Sequence, residues 1–223
     1  MVFLFDENAG KESFSIKGDS FKYLIKVRRH SVGDEINFRC FDDTTKLYRY
    51  KIISIENRLL KLELLEVLDY EVKPKKNLHV GWCIIDTKSV EKVLPSLCEI
   101  GVSKISFISC DRSQRNFRLD FKRFERILQT SMQQSGRSSF MEFDSFKNIK
   151  EFIGKFPQTK VFDFCDKSLS DYSEIDTILI GCEGGFSQDE RELLKNSDVF
   201  SLDTPMVLRS ESAVVAVASK IVL

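Results

Sequence analysis

The sequence is poor in metal ligands: it has two histidines, and its six cysteines include no CxxC pair. The spacings that build zinc sites are therefore missing, and no metal is expected. Cys40, Cys83, Cys98, Cys110, Cys165 and Cys182 read instead as reduced, mostly buried thiols. No apolar run approaches the roughly 20 residues that span a bilayer, and the opening MVFLFDENAG lacks a basic leader segment. No membrane association and a cytoplasmic location are expected. Net charge is also absent, since 34 basic residues cancel 34 acidic ones. No global field draws in a polyanion, so any nucleic-acid contact must come from a local patch. What remains is an ordinary globular balance, 42% hydrophobic and 30% charged over 223 residues, enough for two domains.

The texture changes near Pro74. Before it, segments rich in β-branched and aromatic residues alternate with turns: Val2 to Phe5, Glu35 to Phe41, Tyr48 to Ile55 and Leu59 to Leu65. Asn57-Arg58 is short enough to close a hairpin between the last two. One helix interrupts them, with Asp19 or Ser20 as its expected N-cap and Phe21, Leu24 and Ile25 at helical spacing. This predicts a small barrel or curled sheet over residues 1–71. The polar stretch from Tyr70 to Asn77 reads as a linker.

From Leu78 onward strands and helices alternate, which predicts a mainly parallel sheet over residues 72–223 and an α/β class for the chain. His79 to Ile85 is an apolar strand. A helix capped by Asp86 or Thr87 follows, with Val90, Val93, Leu94, Leu97 and Ile100 on one face and Gly101 at its end. Ile105 to Ser109, Lys160 to Phe164, Thr177 to Ile180 and Val199 to Leu202 are further strands. Asp120 starts a helix that buries Phe121, Phe124, Ile127 and Leu128, and the last helix begins near Ser210.

Two constellations carry chemistry. In Leu179-Ile-Gly-Cys-Glu-Gly-Gly-Phe-Ser-Gln-Asp-Glu190 an apolar strand runs into three glycines, and Ser187 with Glu190 forms a capping box for the next helix. Glycines there let backbone amides approach a ligand closely. The loop lacks the Gly-Lys-Ser/Thr of a Walker A motif and is not GxGxxG, so a phosphate cradle is disfavoured. A tight turn with no ligand fits the same residues equally well. In Ser201-Leu-Asp-Thr-Pro-Met-Val-Leu-Arg-Ser-Glu-Ser-Ala213 an irregular apolar loop joins a strand end to a helix start. Met206, Val207 and Leu208 can wall a flat apolar group, while Arg209 and Glu211 bring charge to the same edge. A loop packed under the sheet is the alternative.

Together these segments resemble the SPOUT class of RNA methyltransferases, most closely its RsmE family, which methylates N3 of a uridine in bacterial 16S ribosomal RNA. The family's IGPEGGFS appears as Ile180-Gly-Cys-Glu-Gly-Gly-Phe-Ser187 and its LRTETA as Leu208-Arg-Ser-Glu-Ser-Ala213. Glu99-Ile-Gly-Val102 precedes a strand and a basic Asp111-Arg-Ser113, and the family's QSGR is intact as Gln134-Ser-Gly-Arg137. Val27-Arg-Arg29 followed by Gly33-Asp34 matches near the start. Cys182 stands where proline is usual, serines replace two threonines at 210 and 212, and Arg28 replaces a leucine.

The resemblance implies a trefoil-knotted C-terminal domain holding S-adenosylmethionine, a PUA-like N-terminal barrel that helps hold RNA, and a homodimer acting on 16S ribosomal RNA or the small ribosomal subunit. For cofactor binding it points to Phe164, Gly181, Gly184, Leu202 and Leu208 through their backbones, with Glu183 and Ala213 beside them and Met206 and Val207 over the adenine. A uridine N3 is a poor nucleophile until its proton leaves, so the site needs a base or a cation that stabilises the developing anion. Arg209 takes the second role, and Glu183 is base or organiser with Glu211 as its rival. RNA contacts are expected at Arg112, Arg115 and Arg118, at Gln134 and Arg137, and at Arg28 and Arg29, with Phe117 able to stack on an unpaired base. A SPOUT enzyme with another RNA target, or a noncatalytic RNA-binding assembly factor, are the rival readings. QSGR and the N-terminal barrel argue against a transfer-RNA target.

Overall fold

The computed structural model describes residues 2–113, 118–169 and 174–223, and these fall into two compact units. The first comprises residues up to Lys73 together with Met132–Ser139, and the second Pro74–Ser131 and Phe140–Leu223. Where the sequence suggested one boundary between residues 71 and 72, the chain gives a later segment back to the first unit. The reason is hydrogen bonding. Val2 N–H donates to the Gln133 carbonyl at 2.8 Å, and Ser138 N–H to the Val72 carbonyl at 2.8 Å.

The first unit is a five-stranded sheet of β1 (Leu4–Phe5), β2 (Ser13–Ile16), β3 (Glu35–Arg39), β4 (Lys46–Glu56) and β5 (Leu59–Asp69), in the order β1-β3-β4-β5-β2. Asn57 and Arg58 both adopt positive φ, 50° and 63°, which matches the twist of a tight hairpin between β4 and β5. Its core gathers alternate strand residues such as Ile36, Phe38, Tyr50, Ile52, Leu60 and Leu62. Helix α1 (Gly18–Lys22) starts earlier than expected: its N-cap is Lys17, with no side-chain cap, rather than Asp19 or Ser20. It runs directly into a π-helical turn, Tyr23–Val27, that buries Leu24.

The second unit is an all-parallel six-stranded sheet of β6 (Leu78–Cys83), β7 (Val102–Ile108), β8 (Glu142–Phe146), β9 (Lys160–Phe162), β10 (Thr177–Ile180) and β11 (Val199–Phe200). Their order is β11-β9-β10-β6-β7-β8. Helices α2 (Thr87–Ile100), α3 (Phe121–Ser135), α4 (Ile149–Lys155), α5 (Gln188–Leu194) and α6 (Ser210–Val222) lie between and after the strands, β9 being followed by β10 with no α-helix between them among the described residues. Every residue of β6 is buried, as a central parallel strand covered on both faces requires. Asp86 caps α2 by accepting from Ser89 N–H at 2.9 Å, and Gly101 ends it at φ 110°, a conformation open to glycine. Phe124 and Leu128 of α3 are fully buried, whereas Phe121 and Ile127 are half-buried.

The reduced-thiol expectation fails for two cysteines. Cys83 at the end of β6 and Cys110 just beyond β7 form a disulfide, with Cα atoms 5.8 Å apart. The adjacent strands bring them together: Cys83 is in register with Ile108, two residues before Cys110. Cys40, Cys98, Cys165 and Cys182 remain thiols.

A partly buried polar cluster sits toward the opposite, amino-terminal end of the sheet, with His79 and Ser106 buried and Lys104 and Asp144 half-buried. His79 Nε2 lies 2.7 Å from Ser106 Oγ, that hydroxyl donates to Asp144, and Lys104 pairs with Asp144 at 2.8 Å. Burial first, and the nearby Lys104 second, hold the His79 imidazole down at about pKa 4, against the partial compensation of Asp144. The folded protein thus keeps a neutral ring, while the unfolded chain takes up its proton near 6.5. As pH falls from about 6.5 to about 4 the unfolded state binds the extra proton, so stability is lost across that window and is fully present above it. Urea midpoints should therefore drop between about pH 7 and about pH 5, and a His79→Gln variant should show a smaller drop. Equal drops in both proteins would remove His79 as the cause.

Candidate cofactor cleft and catalytic edge

The carboxyl ends of β9, β10 and β11 converge on one cleft of about 350 Å³, the edge at which open α/β sheets bind ligands. Three segments build it. The first is the glycine loop after β10. Its turn is closed by Gly185 N–H donating to the Cys182 carbonyl at 2.9 Å, and Gly185 takes φ 66°, which suits glycine. Ser187 then opens α5 through a complete capping box with Glu190. Cys182, where the resemblance expects proline, is buried, and burial pushes its thiol pKa up.

The second segment is the end of β9, where Asp163 and Phe164 line the cleft. Asp163 pairs with Arg191 of α5, which also lines it. The third is the irregular run from Ser201 to Leu208, held by a turn in which Thr204 N–H donates to the Leu202 carbonyl at 2.9 Å. Phe164, Met206 and Val207 expose 73%, 66% and 76% of their surfaces, an unusual concentration of uncovered apolar area at a cleft mouth.

One hydroxyl ties the cleft together. Ser210, the first residue of α6, accepts from the Trp82 indole N–H at 2.8 Å and donates to the Gly181 carbonyl at 2.5 Å. It thereby fixes the start of α6 to the ends of β6 and β10. Ser210→Ala strands a buried indole N–H and should cost about 1–3 kcal/mol in chemical denaturation. Ser210→Thr keeps the hydroxyl and should retain most of the stability; identical losses in the two variants would place the cost in packing rather than in this hydrogen bond.

All nine residues expected at the cofactor line this cleft: Phe164, Gly181, Glu183, Gly184, Leu202, Met206, Val207, Leu208 and Ala213. Arg209 and Glu211 flank it without lining it. Arg209 is the exposed N-cap residue of α6, and Glu211 lies in that helix's first turn, where a carboxylate is favourable. Arg112, expected at RNA, is exposed and lines the cleft, its Nη1 donating to the Gly184 carbonyl at 2.6 Å.

Arg118 is exposed, and Arg115 and Phe117 lie outside the described residues. On the first unit, exposed Arg28 donates through Nε to the Tyr23 hydroxyl at 2.9 Å and through Nη2 to Gln134 Oε1 at 3.3 Å. Exposed Arg29 adopts φ 61°, an uncommon left-handed conformation for a non-glycine residue. Arg137 departs from expectation. It is 5% exposed and its Nε donates to the Ser139 carbonyl at 2.6 Å, so its side chain is engaged inside the protein and not presented to RNA. Asp163 and Arg191 escaped the sequence reading, and Ser210 entered it only as a helix start and a motif residue, without its tie to Trp82 and Gly181. Of the first two, Asp163 carried a local signal, as an acidic residue at a strand's carboxyl end.

Comparison with known proteins agrees with this architecture. The family model described as RNA methyltransferase domain matches residues 72–222, and that described as RNA methyltransferase PUA domain matches residues 16–65. The chain is 36% identical to ribosomal RNA small subunit methyltransferase E of Helicobacter pylori strain J99, over 98% of each. It is 27% identical to ribosomal RNA small subunit methyltransferase E 2 of Borreliella burgdorferi, over 94% of this chain and 91% of that one. Among solved structures, a ribosomal RNA small subunit methyltransferase E from Neisseria gonorrhoeae, bound to S-adenosyl methionine, superposes with a TM-score of 0.76 at 18% identity, covering 98% of this chain and 95% of that one. A PUA domain followed by a parallel-sheet catalytic domain, matched along nearly its whole length, makes this chain a member of the RNA methyltransferase family that includes ribosomal RNA small subunit methyltransferase E.

Proposed function

We propose that this enzyme uses S-adenosylmethionine to methylate N3 of a uridine in 16S ribosomal RNA of the small ribosomal subunit. The observation that carries the reading is the cleft: a glycine loop at a strand end, an apolar cover and both signs of charge in one wall. Those parts suit an adenosine bearing an amino-acid end, with Phe164, Met206, Val207 and Leu208 against the purine and the backbones of Gly181, Gly184 and Leu202 along the ribose and chain. The full-length relatives named for small-subunit ribosomal RNA support the substrate class.

When bound, S-adenosylmethionine supplies an electrophilic methyl group. The protein's part is to align the uridine and manage its N3 proton. Arg209 stands at the cleft edge as the cation for the developing imide anion, and Glu183 in the cleft wall acts as base or organiser, with Glu211 as the other carboxylate within reach of the same edge in sequence. Arg28, Arg29, Gln134 and Arg118 contact the RNA, mainly through phosphates, so its affinity should fall steeply with salt. The first unit serves as the RNA-binding domain and the second as the methyltransferase domain of a cytoplasmic homodimer.

The C-terminal segment is threaded as a trefoil knot. In support, the chain reaches α6 from β11 at the sheet edge, yet α6 begins on the ends of β6 and β10. Mapping of modified bases in ribosomal RNA from cells with and without the gene tests the function. One 3-methyluridine should disappear from the small-subunit RNA; its persistence, or loss of a modification in another RNA, would overturn the assignment.

A further inference from the structure

We propose that Arg112 recognises the carboxylate at the amino-acid end of the cofactor, and so makes the cleft select an adenosine that carries that end. The inference rests on the methyltransferase reading above and moves Arg112 from the RNA surface to the cofactor.

The backbone around Arg112 is fixed on several sides. Asp111 N–H donates to Glu190 Oε1 at 2.9 Å, and the Ser187 hydroxyl donates to the Asp111 carboxylate, so the residue before Arg112 is bonded to the capping box that closes the glycine loop. Ser113 N–H donates to the Cys110 carbonyl at 3.0 Å, and the Cys110 disulfide anchors the same turn to the end of β6. These ties oppose the fraying expected of a charged loop that only awaits a polyanion.

The side chain is held as well. Its stem lies across Gly184: a Cβ added there would be 3.1 Å from Arg112 Cβ and 3.2 Å from Cδ. With Nη1 committed to the Gly184 carbonyl, the guanidinium is a fixed part of the cleft wall and still has donors left at Nε and Nη2.

Charge accounting then separates it from the other cation. The charged residues of the cleft are Arg112, Asp163, Glu183 and Arg191. Arg191 is neutralised by Asp163, to which it donates through both Nη1 and Nη2. Arg112 has no ion pair among the described residues. A planar, preorganised guanidinium in a concave and partly apolar wall matches one small carboxylate. Arg112 is exposed, as Arg118 is, but its guanidinium is bonded to the glycine loop and lines the cleft, which favours a ligand held in the cleft over an RNA phosphate.

Calorimetry with two ligands tests this without turnover. S-adenosylhomocysteine carries the carboxylate; S-adenosyl-3-thiopropylamine lacks only that group and keeps the ammonium. Arg112→Ala should weaken the first by about 10- to 100-fold, the range for a charge-assisted hydrogen bond, and leave the second unchanged. Arg112→Lys should recover part of the loss. Equal weakening of both ligands would overturn the proposal in favour of a structural role. Unchanged affinity for both, with weaker binding to ribosomal RNA, would return Arg112 to the RNA surface. If the wild-type protein bound neither ligand, the methyltransferase reading itself would fall and take this assignment with it.

Discussion

Gly81→Val should destabilise the enzyme by about 3 kcal/mol, and Gly81→Ala by about 1–3 kcal/mol, the cost of forcing extra atoms into a packed core. Gly81 sits in the middle of β6, and a Cβ there would come within 2.5 and 2.7 Å of two atoms of the Phe152 ring, and 3.2 Å of Ile108 Cδ1. Helix α4 thus packs its phenylalanine straight onto strand backbone. The ring has little room to retreat, because Phe146, Phe156 and His79 contact it with centroids 5.3, 5.1 and 5.5 Å away. Chemical denaturation measures the effect directly, and Gly81→Ala combined with Phe152→Leu should recover part of it by removing the obstructing ring. A Gly81→Ala protein as stable as wild type would show that α4 is loosely docked. The consequence reaches the cleft, since the next residue, Trp82, donates to Ser210 and so helps fix the start of α6.

What the sequence made legible follows local chemistry. Asp86, Gly101 and the Ser187–Glu190 box mark helix ends because a cap needs only neighbours three or four residues away. Asn57-Arg58 marks a hairpin for the same reason. Short elements were missed: β2 and β8 have four and five residues, β8 with the burial pattern of an edge strand, and α4 was overlooked although Asn148 caps it by accepting from Glu151 N–H. At α1 local logic misled, because Asp19 and Ser20 are good caps by type but the backbone turns helical at Gly18.

Properties that depend on distant residues were illegible in principle. Cys83 and Cys110 are 27 positions apart and meet only through the register of β6 with β7. Arg137 looked like a basic surface residue until Met132–Ser139 folded back onto the first unit. The cleft shows both sides. The glycine loop and the apolar run Met206–Leu208 were legible as a ligand loop and wall, and family likeness completed the nine expected residues, whereas Asp163, Arg191 and the Arg112 clamp depend on β9, α5 and the loop after β7 meeting in space.

The other large effect is expected at the chemical step. Arg209→Ala should lower kcat by about 10²–10³, the usual cost of deleting one donor to a developing anion, while calorimetric affinity for S-adenosylhomocysteine stays unchanged. The separation is expected because Arg209 is exposed at the start of α6 and contributes no surface to the cleft wall, and its carbonyl already serves the helix by accepting from Ala213 N–H at 2.8 Å. Arg209→Lys keeps the charge but loses the planar fork, and should fall between the two. Loss of cofactor affinity in Arg209→Ala would instead make it a binding residue.

Glu183→Gln separates proton removal from organisation. As the base, Glu183 should cost about 10²–10⁴ in kcat at neutral pH when amidated, and the variant's rate should climb with pH as more uridine loses its N3 proton to solvent. An organising role predicts a smaller loss with an unaltered pH profile, since the amide preserves shape and one acceptor. Full activity of Glu183→Gln at neutral pH would pass the base role to Glu211, whose place in the first turn of α6 next to Arg209 leaves it at the same edge of the cleft. The two glutamates are told apart by the pH dependence, because only the true base makes its removal correctable by hydroxide.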